Sequence, residues 1–414
     1  YHTNDIHSHL NEYARIQDYM ASHRPQLQHP SLYLDIGDHV DLSAPVTEAT
    51  IGKKNIELLN KAHCDIATIG MTISHEALQN LYTEANFKVI CANVFDEKGQ
   101  LPNHITSSYI KEIEESRILF VAATAPFTPF YRALDWVVTD PLAAIKDEIE
   151  AHEGKFDVLI VMSHVGVFFD EKLCQEIPEI DVIFGSHTHH YFENGELNNG
   201  VLMAAAGKYG HFLGEVNLTI EHGRVTDKKA KLHPLDALPQ VETHFDEEGK
   251  ALLSEPVIDH HVKLQKKTDV ITETSYLLAE SVYEFTHADC ALVNAGLIVN
   301  SIEADEVTEY DIHRMLPHPI NLVRVRLTGE ELIRVIKKSQ EQEYMHEHAQ
   351  GLGFRGDIFG GYILYNLGFI ESENRYFING EEIQTDRQYT LGTVDMYTFG
   401  RYFPILKGLP TDYI

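Results

Sequence analysis

Four short clusters in this 414-residue chain carry side chains suited to holding metal ions: Asn4-Asp5-Ile6-His7, Gly37-Asp38, Ser163-His164 and Gly185-Ser186-His187-Thr188-His189. A carboxylate oxygen can bridge two divalent ions roughly 3.5–4 Å apart. Two such ions can clamp both the attacking and the leaving oxygen of a phosphoryl displacement. Neutral imidazoles complete the coordination shells without adding charge. Mixed oxygen and nitrogen ligation suits Mn, Zn, Fe or Co better than Ca or Mg. A water activated by such a pair is the expected nucleophile. Taken singly, each cluster has a plainer reading. An Asp after a strand is usually a cap or turn residue, and a lone His is more often a surface or core group. The joint pattern, in this order, is what points to metal chemistry.

The elements that must position these clusters can be read from hydrophobic runs. Leu32–Ile36, Ile66–Ile69, Val89–Ala92, Ile118–Ala123, Val158–Met162 and Val182–Phe184 are expected as buried strands. Thr47–His63, His75–Glu84, Asp140–His152 and Asp170–Glu176 carry helical spacing between them. This alternation predicts an α/β sheet with its functional loops at the carboxyl ends of the strands. The polar stretch from Lys228 to Asp259, with Pro234, Pro239 and Pro256, reads as a connection. Beyond it, Gln265–Phe285 is expected as a helix, Leu322–Leu327 as a strand and Gly329–Gln340 as a second helix. The predicted organisation is a metal-binding domain over 1–227, a linker over 228–264 and a substrate-binding domain over 265–414.

Composition limits the partners. The chain is 43% hydrophobic and 23% charged, a globular balance. Its formal net charge of −30 argues against duplex nucleic acid, which is bound through basic faces. Bound divalent ions would supply the positive charge that a phosphate needs on so acidic a protein. No run approaches the roughly 20 apolar residues that span a bilayer. Cys64, Cys91, Cys174 and Cys290 show no paired spacing, so neither a disulfide framework nor structural zinc is expected. The first residues lack the basic and apolar regions of a secretory signal. Cytoplasmic location is expected, or export if a leader was removed.

The clusters resemble the motifs of the 5′-nucleotidase family of metallophosphoesterases. The resemblance rests on His2-Thr3-Asn4-Asp5-Ile6-His7-Ser8-His9, Asp35-Ile36-Gly37-Asp38, Ser163-His164, Gly185-Ser186-His187-Thr188-His189 and Ala204-Ala205-Ala206-Gly207. It implies a four-layered metallophosphoesterase sandwich followed by a second α/β domain. It also implies two divalent ions, with Asp5, His7 and His189 on one, Asp38 bridging, and His164 and His187 on the other. The implied reaction is hydrolysis of a nucleotide phosphomonoester. Nucleotide-sugar pyrophosphatase, 2′,3′-cyclic phosphodiesterase and a binding protein without turnover are the rival readings.

One departure falls after the third strand, where the family carries Gly-Asn-His-Glu. This chain reads Ile69-Gly70-Met71-Thr72-Ile73-Ser74-His75-Glu76, without the Asn. Either Ser74-His75-Glu76 is a displaced form of that motif, with His75 as the candidate catalytic residue, or a loop is missing between Gly70 and Met71. The second alternative predicts a break in the chain there, with His75 only opening the next helix.

In the C-terminal half, Cys290–Ile298, Leu316-Pro317-His318-Pro319 and Leu327–Leu332 continue the resemblance. It implies a nucleoside site that stacks a base between aromatic rings, which contributes on the order of 1–3 kcal/mol per base. The candidate substrate contacts are Asn294, Gly296, Arg355, Tyr362 and Phe399. Arg355 suits bidentate anion binding. Val299 and Asn300 stand where the family often has an Arg.

Overall fold

The computed structural model describes residues 1–70, 75–341, 345–346, 348 and 353–414. The predicted break after Gly70 and the side chain of His75 lie outside the described residues. The chain divides into two units, Tyr1–Gly249 and Lys250–Ile414.

The first unit holds two sheets. One runs, in spatial order, Arg224–Pro234, Phe212–Glu221, His2–Thr3, Leu34–Asp35, Ile66–Thr68, Lys88–Ile90 and Ile105–Thr106. The other runs Glu196–Asn198, Val201–Ala204, Val182–Gly185, Val158–His164, Ser116–Thr124 and Ser108–Ile113. Neighbours are parallel from His2–Thr3 to Ile105–Thr106 in the first sheet and from Val201–Ala204 to Ser116–Thr124 in the second. Antiparallel strands flank both central sets.

Period-2 alternation builds the layers. Ile118, Phe120, Ala122, Val158, Ile160, Met162, Val182 and Phe184 form one core with Leu34, Ile36, Ile66 and Ile90 of the facing sheet. Their neighbours Leu119, Val121, Leu159, Val161 and Ile183 turn the other way, onto Ile145, Leu173 and Cys174. Those three residues belong to the helices Pro141–Ala151 and Val167–Glu176. On the outer face of the first sheet, Ala67 and Val89 meet Leu10, Tyr13, Ile16, Ile56 and Leu59. These come from the helices Leu10–His23 and Lys53–Lys61. Three cores separate four layers, as the resemblance implied.

Every strand expected in this half forms. The helix expected over Thr47–His63 is broken into Pro45–Thr50 and Lys53–Lys61, because Ile51 and Gly52 both take left-handed backbone. Asp140 caps the next helix by accepting from the Ala143 amide at 2.8 Å, with Pro141 at its first position. The stretch read as a connection from Lys228 is instead structured. Arg224–Pro234 pairs along its length with Phe212–Glu221, so unit 1 continues past position 227. Only one face of this hairpin is covered, by Val216, Leu218, Ile220, Val225 and Ala230 against the core between the sheets. Its many solvent-facing polar residues imitate a linker.

The second unit is built on a five-stranded sheet in the order Tyr362–Tyr365, Cys290–Asn294, Gln388–Val394, Leu322–Thr328 and Thr411–Tyr413. The helices Glu273–Thr286 and Gly329–Ser339 pack on it, each opened by a reciprocal cap, from Thr272 with Ser275 and Thr328 with Glu331. The first starts at Glu273, later than expected, because the backbone of the preceding residues bonds elsewhere: the Gln265 and Lys266 amides donate to the Thr274 and Ser301 hydroxyls, and the Thr268 carbonyl accepts from the Gly361 amide. Among the described residues, no helix is long and apolar enough to cross a membrane.

Candidate metal centre

The carboxyl ends of the parallel strands in unit 1 carry all six candidate ligands. Asp5 and His7 follow His2–Thr3, Asp38 follows Leu34–Asp35, His164 ends Val158–His164, and His187 and His189 follow Val182–Gly185. Five of the six, Asp5, His7, Asp38, His187 and His189, have left-handed φ between 45° and 71°. Asp and His tolerate this region better than branched residues, but it still costs of order 1–3 kcal/mol each and persists only where surroundings enforce it. The surroundings are visible. The Asp5 and His7 amides donate to the Gly37 and Asp38 carbonyls at 3.0 and 2.8 Å. The Asn4 side chain donates to Asp5 Oδ2 and to the Gly207 carbonyl, both at 2.7 Å, and accepts from the Ala206 amide at 2.8 Å. The His187 amide donates to the Asp5 carboxylate at 3.1 Å.

Two sets of donor atoms result. Asp5, His7 and His189 form one, and Asp38, His164 and His187 the other; within each, one atom per residue lies within 4.8 Å of the others. His7 Nε2 is 3.3 Å from His189 Nε2, and His189 Nε2 is 3.6 Å from Asp5 Oδ1. Asp38 Oδ2 links the sets, 3.6 Å from His7 Nε2 and 3.2 Å from His164 Nε2.

The tautomers follow from the remaining contacts. His164 Nδ1 donates to the Ile36 carbonyl at 2.8 Å, so Nε2 faces Asp38 and offers a lone pair only when it gives up the proton that the carboxylate holds there. That nitrogen is buried, and among the described residues it meets only the Asp38 carboxylate, 3.2 Å away, without a well-formed hydrogen bond. Asp38 facing an imidazole nitrogen in this way needs a cation between them, which a proton or a metal ion can supply. Burial opposes charge on His164, yet the Asp38 carboxylate raises it to about 9. Burial also works against ionised Asp38, yet His164, His7 and His187 hold its carboxyl below the usual carboxylate range. Desolvation keeps His187 and His189 neutral down to about 4, with lone pairs available to a metal. Burial raises Asp5 to about 6, with the His164 charge opposing. This donor set fits a pair of divalent ions, which would take the proton's place.

Sequence reasoning missed two parts of the site. Asp41 Oδ2 lies 3.3 Å from His7 Nδ1 and orients that ring so that Nε2 turns toward Asp38. Gly70 passes so close to Asp38 that a Cβ there would collide with the Asp38 carboxylate and amide. Neither role has a periodic signal, since Asp41 meets His7 only through a turn. The nearest hint was the position of Asp41 just after Gly37-Asp38.

A family model described as calcineurin-like phosphoesterase matches residues 1–191, and one described as 5′-nucleotidase, C-terminal domain, matches residues 257–407. The chain is 37% identical over 436 residues to the Bacillus subtilis protein named uncharacterized metallophosphoesterase YunD, covering 98% of this chain and 94% of that one. The chain belongs to the 5′-nucleotidase family of metallophosphoesterases. It is also 22% identical to the Vibrio vulnificus 5′-nucleotidase, over 99% of this chain and 86% of that one. The solved 5′-nucleotidase precursor of Thermus thermophilus has the same fold, with a TM-score of 0.60 at 19% identity, covering 99% and 92% of the two chains. As a metallophosphoesterase the chain is a phosphoric ester hydrolase, of a family that works with a dinuclear divalent metal centre.

The second unit of this metallophosphoesterase places its candidate residues differently. Asn294 is fully buried; it donates to the Phe359 carbonyl at 2.7 Å and accepts from the Tyr397 hydroxyl at 2.6 Å. Gly296 is packed so closely against the Ile358 and Phe359 carbonyls that no Cβ fits. Tyr362 lies in the core among Phe359, Tyr397 and Phe403. Phe399 is half-buried beside the same core. The Arg355 amide donates to His318 Nδ1 at 2.9 Å, while His318 Nε2 donates to the Leu297 carbonyl at 2.7 Å. His75 opens the helix His75–Leu81.

Proposed function

We propose that this chain hydrolyses nucleoside 5′-monophosphates, with Asp5, His7 and His189 holding one divalent ion, His164 and His187 the other, and Asp38 shared between them. The observation that carries the reading is the position of Asp38 Oδ2, within 3.2–3.6 Å of an imidazole from each set. Two bound ions, of Mn, Zn, Fe or Co, would supply Lewis acidity to the phosphoryl group and activate the attacking water. The protein's own contribution is orientation. Asn4 and the His187 amide hold Asp5, Asp41 holds His7, and the Ile36 carbonyl holds His164. In the second unit we assign Arg355 and Phe399 to the anionic and aromatic parts of the substrate. Asn294, Gly296 and Tyr362 act through the backbone and core they fix. Our reading takes the substrate to be a free small molecule met in the cytoplasm, with neither duplex nucleic acid nor membrane as partner.

The test is phosphate release from a 5′-mononucleotide, a nucleotide sugar and a 2′,3′-cyclic nucleotide, each with Mn²⁺, Zn²⁺, Fe²⁺ or Co²⁺. The 5′-mononucleotide is expected to turn over fastest. Turnover of the nucleotide sugar or the cyclic nucleotide alone would replace the substrate assignment. Protein that binds two metals and a nucleotide yet hydrolyses none of the panel would be a binding protein.

A further inference from the structure

The loop from Ser186 to His190 must hold two imidazoles, His187 and His189, from left-handed backbone at φ 71° and 56°. Its inner side is fixed by the Ser186 hydroxyl, which donates to the Ile36 and Ser163 carbonyls at 3.0 and 2.9 Å. Its outer side faces one turn of the helix Val167–Glu176. The Val167 amide donates to Thr188 Oγ1 at 3.1 Å, and that hydroxyl lies 2.9 Å from His190 Nδ1. With the hydroxyl donating to Nδ1, the ring hydrogen of His190 lies on Nε2. That atom faces Asp170 Oδ2, 4.0 Å away, about 1 Å from hydrogen-bond distance.

Asp170 is 1% exposed, and its carboxyl faces the Ser163 hydroxyl as well as His190 Nε2; among the described residues none of these atoms meets full hydrogen-bond geometry. Buried polar groups are normally satisfied, so unmet donors and acceptors gathered at one place need an explanation. Asp170 and Val167 stand one turn apart on the same helix, so Asp170–His190–Thr188–Val167 form a ring on both sides of Thr188, joined by hydrogen-bond distances except at the 4.0 Å approach of His190 to Asp170. Gly185 shows how tight the packing is, because a Cβ there would strike Asp170 Oδ2 and His190 Nε2.

We propose that Asp170 and His190 are positioning residues that lock the His187–His189 loop onto the Val167–Glu176 helix, presenting both imidazoles to the metal pair. His190, the third member of the histidine run, is thus a brace and not a ligand. The inference rests on the reading that His187 and His189 hold metal. Groups that orient metal ligands are worth about tenfold to a hundredfold in metal affinity.

The experiment titrates metal-free protein with Co²⁺, following metal content and the visible spectrum. Asp170→Leu and His190→Ala are each expected to weaken Co²⁺ binding about tenfold to a hundredfold and to alter the spectrum. Asp170→Asn, which still accepts from Nε2, should bind within a few-fold of the wild type. The double variant Asp170→Leu/His190→Ala should be no worse than the weaker single. Wild-type affinity and spectrum in both single variants would overturn the inference, as would losses that add in the double variant. If Asp170→Leu does not fold, Thr188→Val breaks the same ring and is expected to show the same loss; wild-type binding by it would overturn the inference. A wild-type protein that takes up no Co²⁺ would overturn the metal-centre reading itself. Two Co²⁺ in the wild type with unaffected variants would sink the brace alone.

Discussion

Two buried polar clusters in this protein are built on opposite terms. In the second unit, Asn294 uses its amide on the Phe359 carbonyl and its oxygen on the Tyr397 hydroxyl, and His318 uses one nitrogen on the Leu297 carbonyl and the other on the Arg355 amide. At the metal edge of the first unit, His164 satisfies Nδ1 but leaves Nε2 without a hydrogen bond, facing a carboxylate. Buried polar groups are normally satisfied, so an orphan has to be explained. The satisfied cluster is explained by architecture. The unsatisfied one coincides with the donor set proposed for the metal pair.

The contrast can be broken most sharply at Asp38. Asp38→Asn should lower kcat by several orders of magnitude while leaving the circular dichroism spectrum intact; an unchanged rate would remove Asp38 from the centre. Metal removal comes next. Each ion present at a hundred times its Kd stabilises the folded chain by about 2.7 kcal/mol, so a chelator should lower the melting temperature of the first unit. A melt indifferent to chelator would mean that the orphaned nitrogen awaits nothing. Asn294→Ala should do the reverse, leaving metal uptake unchanged but costing the second unit about 4 kcal/mol, through two orphaned groups and a cavity. Chemical denaturation would measure it. A loss of nucleotide binding without a loss of stability would return Asn294 to the substrate site.

The last prediction concerns pH. Burial raises Asp395 to about 6, although the Asn321 amide, donating at 2.8 Å, opposes the shift. An acid raised in the folded state binds more protons there than in the unfolded chain. Its stabilisation is therefore complete below the unfolded value of 3.8 and is lost as pH rises through about 6. The loss is on the order of 3 kcal/mol. Denaturation at pH 4 and pH 7 should show it, and Asp395→Asn should flatten it. An equal slope in the variant would assign the titration elsewhere.

Much of the first unit could be read from residue types, because its strands are buried on both faces and stand out as continuous apolar runs such as Val158–Met162. The candidate ligand clusters, which the structure brings together, were readable for a related reason, since Asp and His at successive strand ends have few structural uses in common. What stayed hidden depends on contacts between distant segments. Asp41 and His7 meet across 34 positions, and Asp170 and His190 across a helix and a loop. The hairpin through Lys228 was hidden because a strand covered on one face only is mostly polar. In the second unit, composition could not separate Tyr362, which lies in the core, from the half-buried Phe399.

The span of the metal set, from Asp5 to His189, has a consequence for biogenesis. A nascent chain cannot complete either group of donors until the strand Val182–Gly185 has left the ribosome and docked beside Val158–His164. On the proposed ligand set, Asp5 and His7, synthesised well before His187 and His189, would stay unligated until that docking, so cation capture would mark the closing of the first unit and would not seed it.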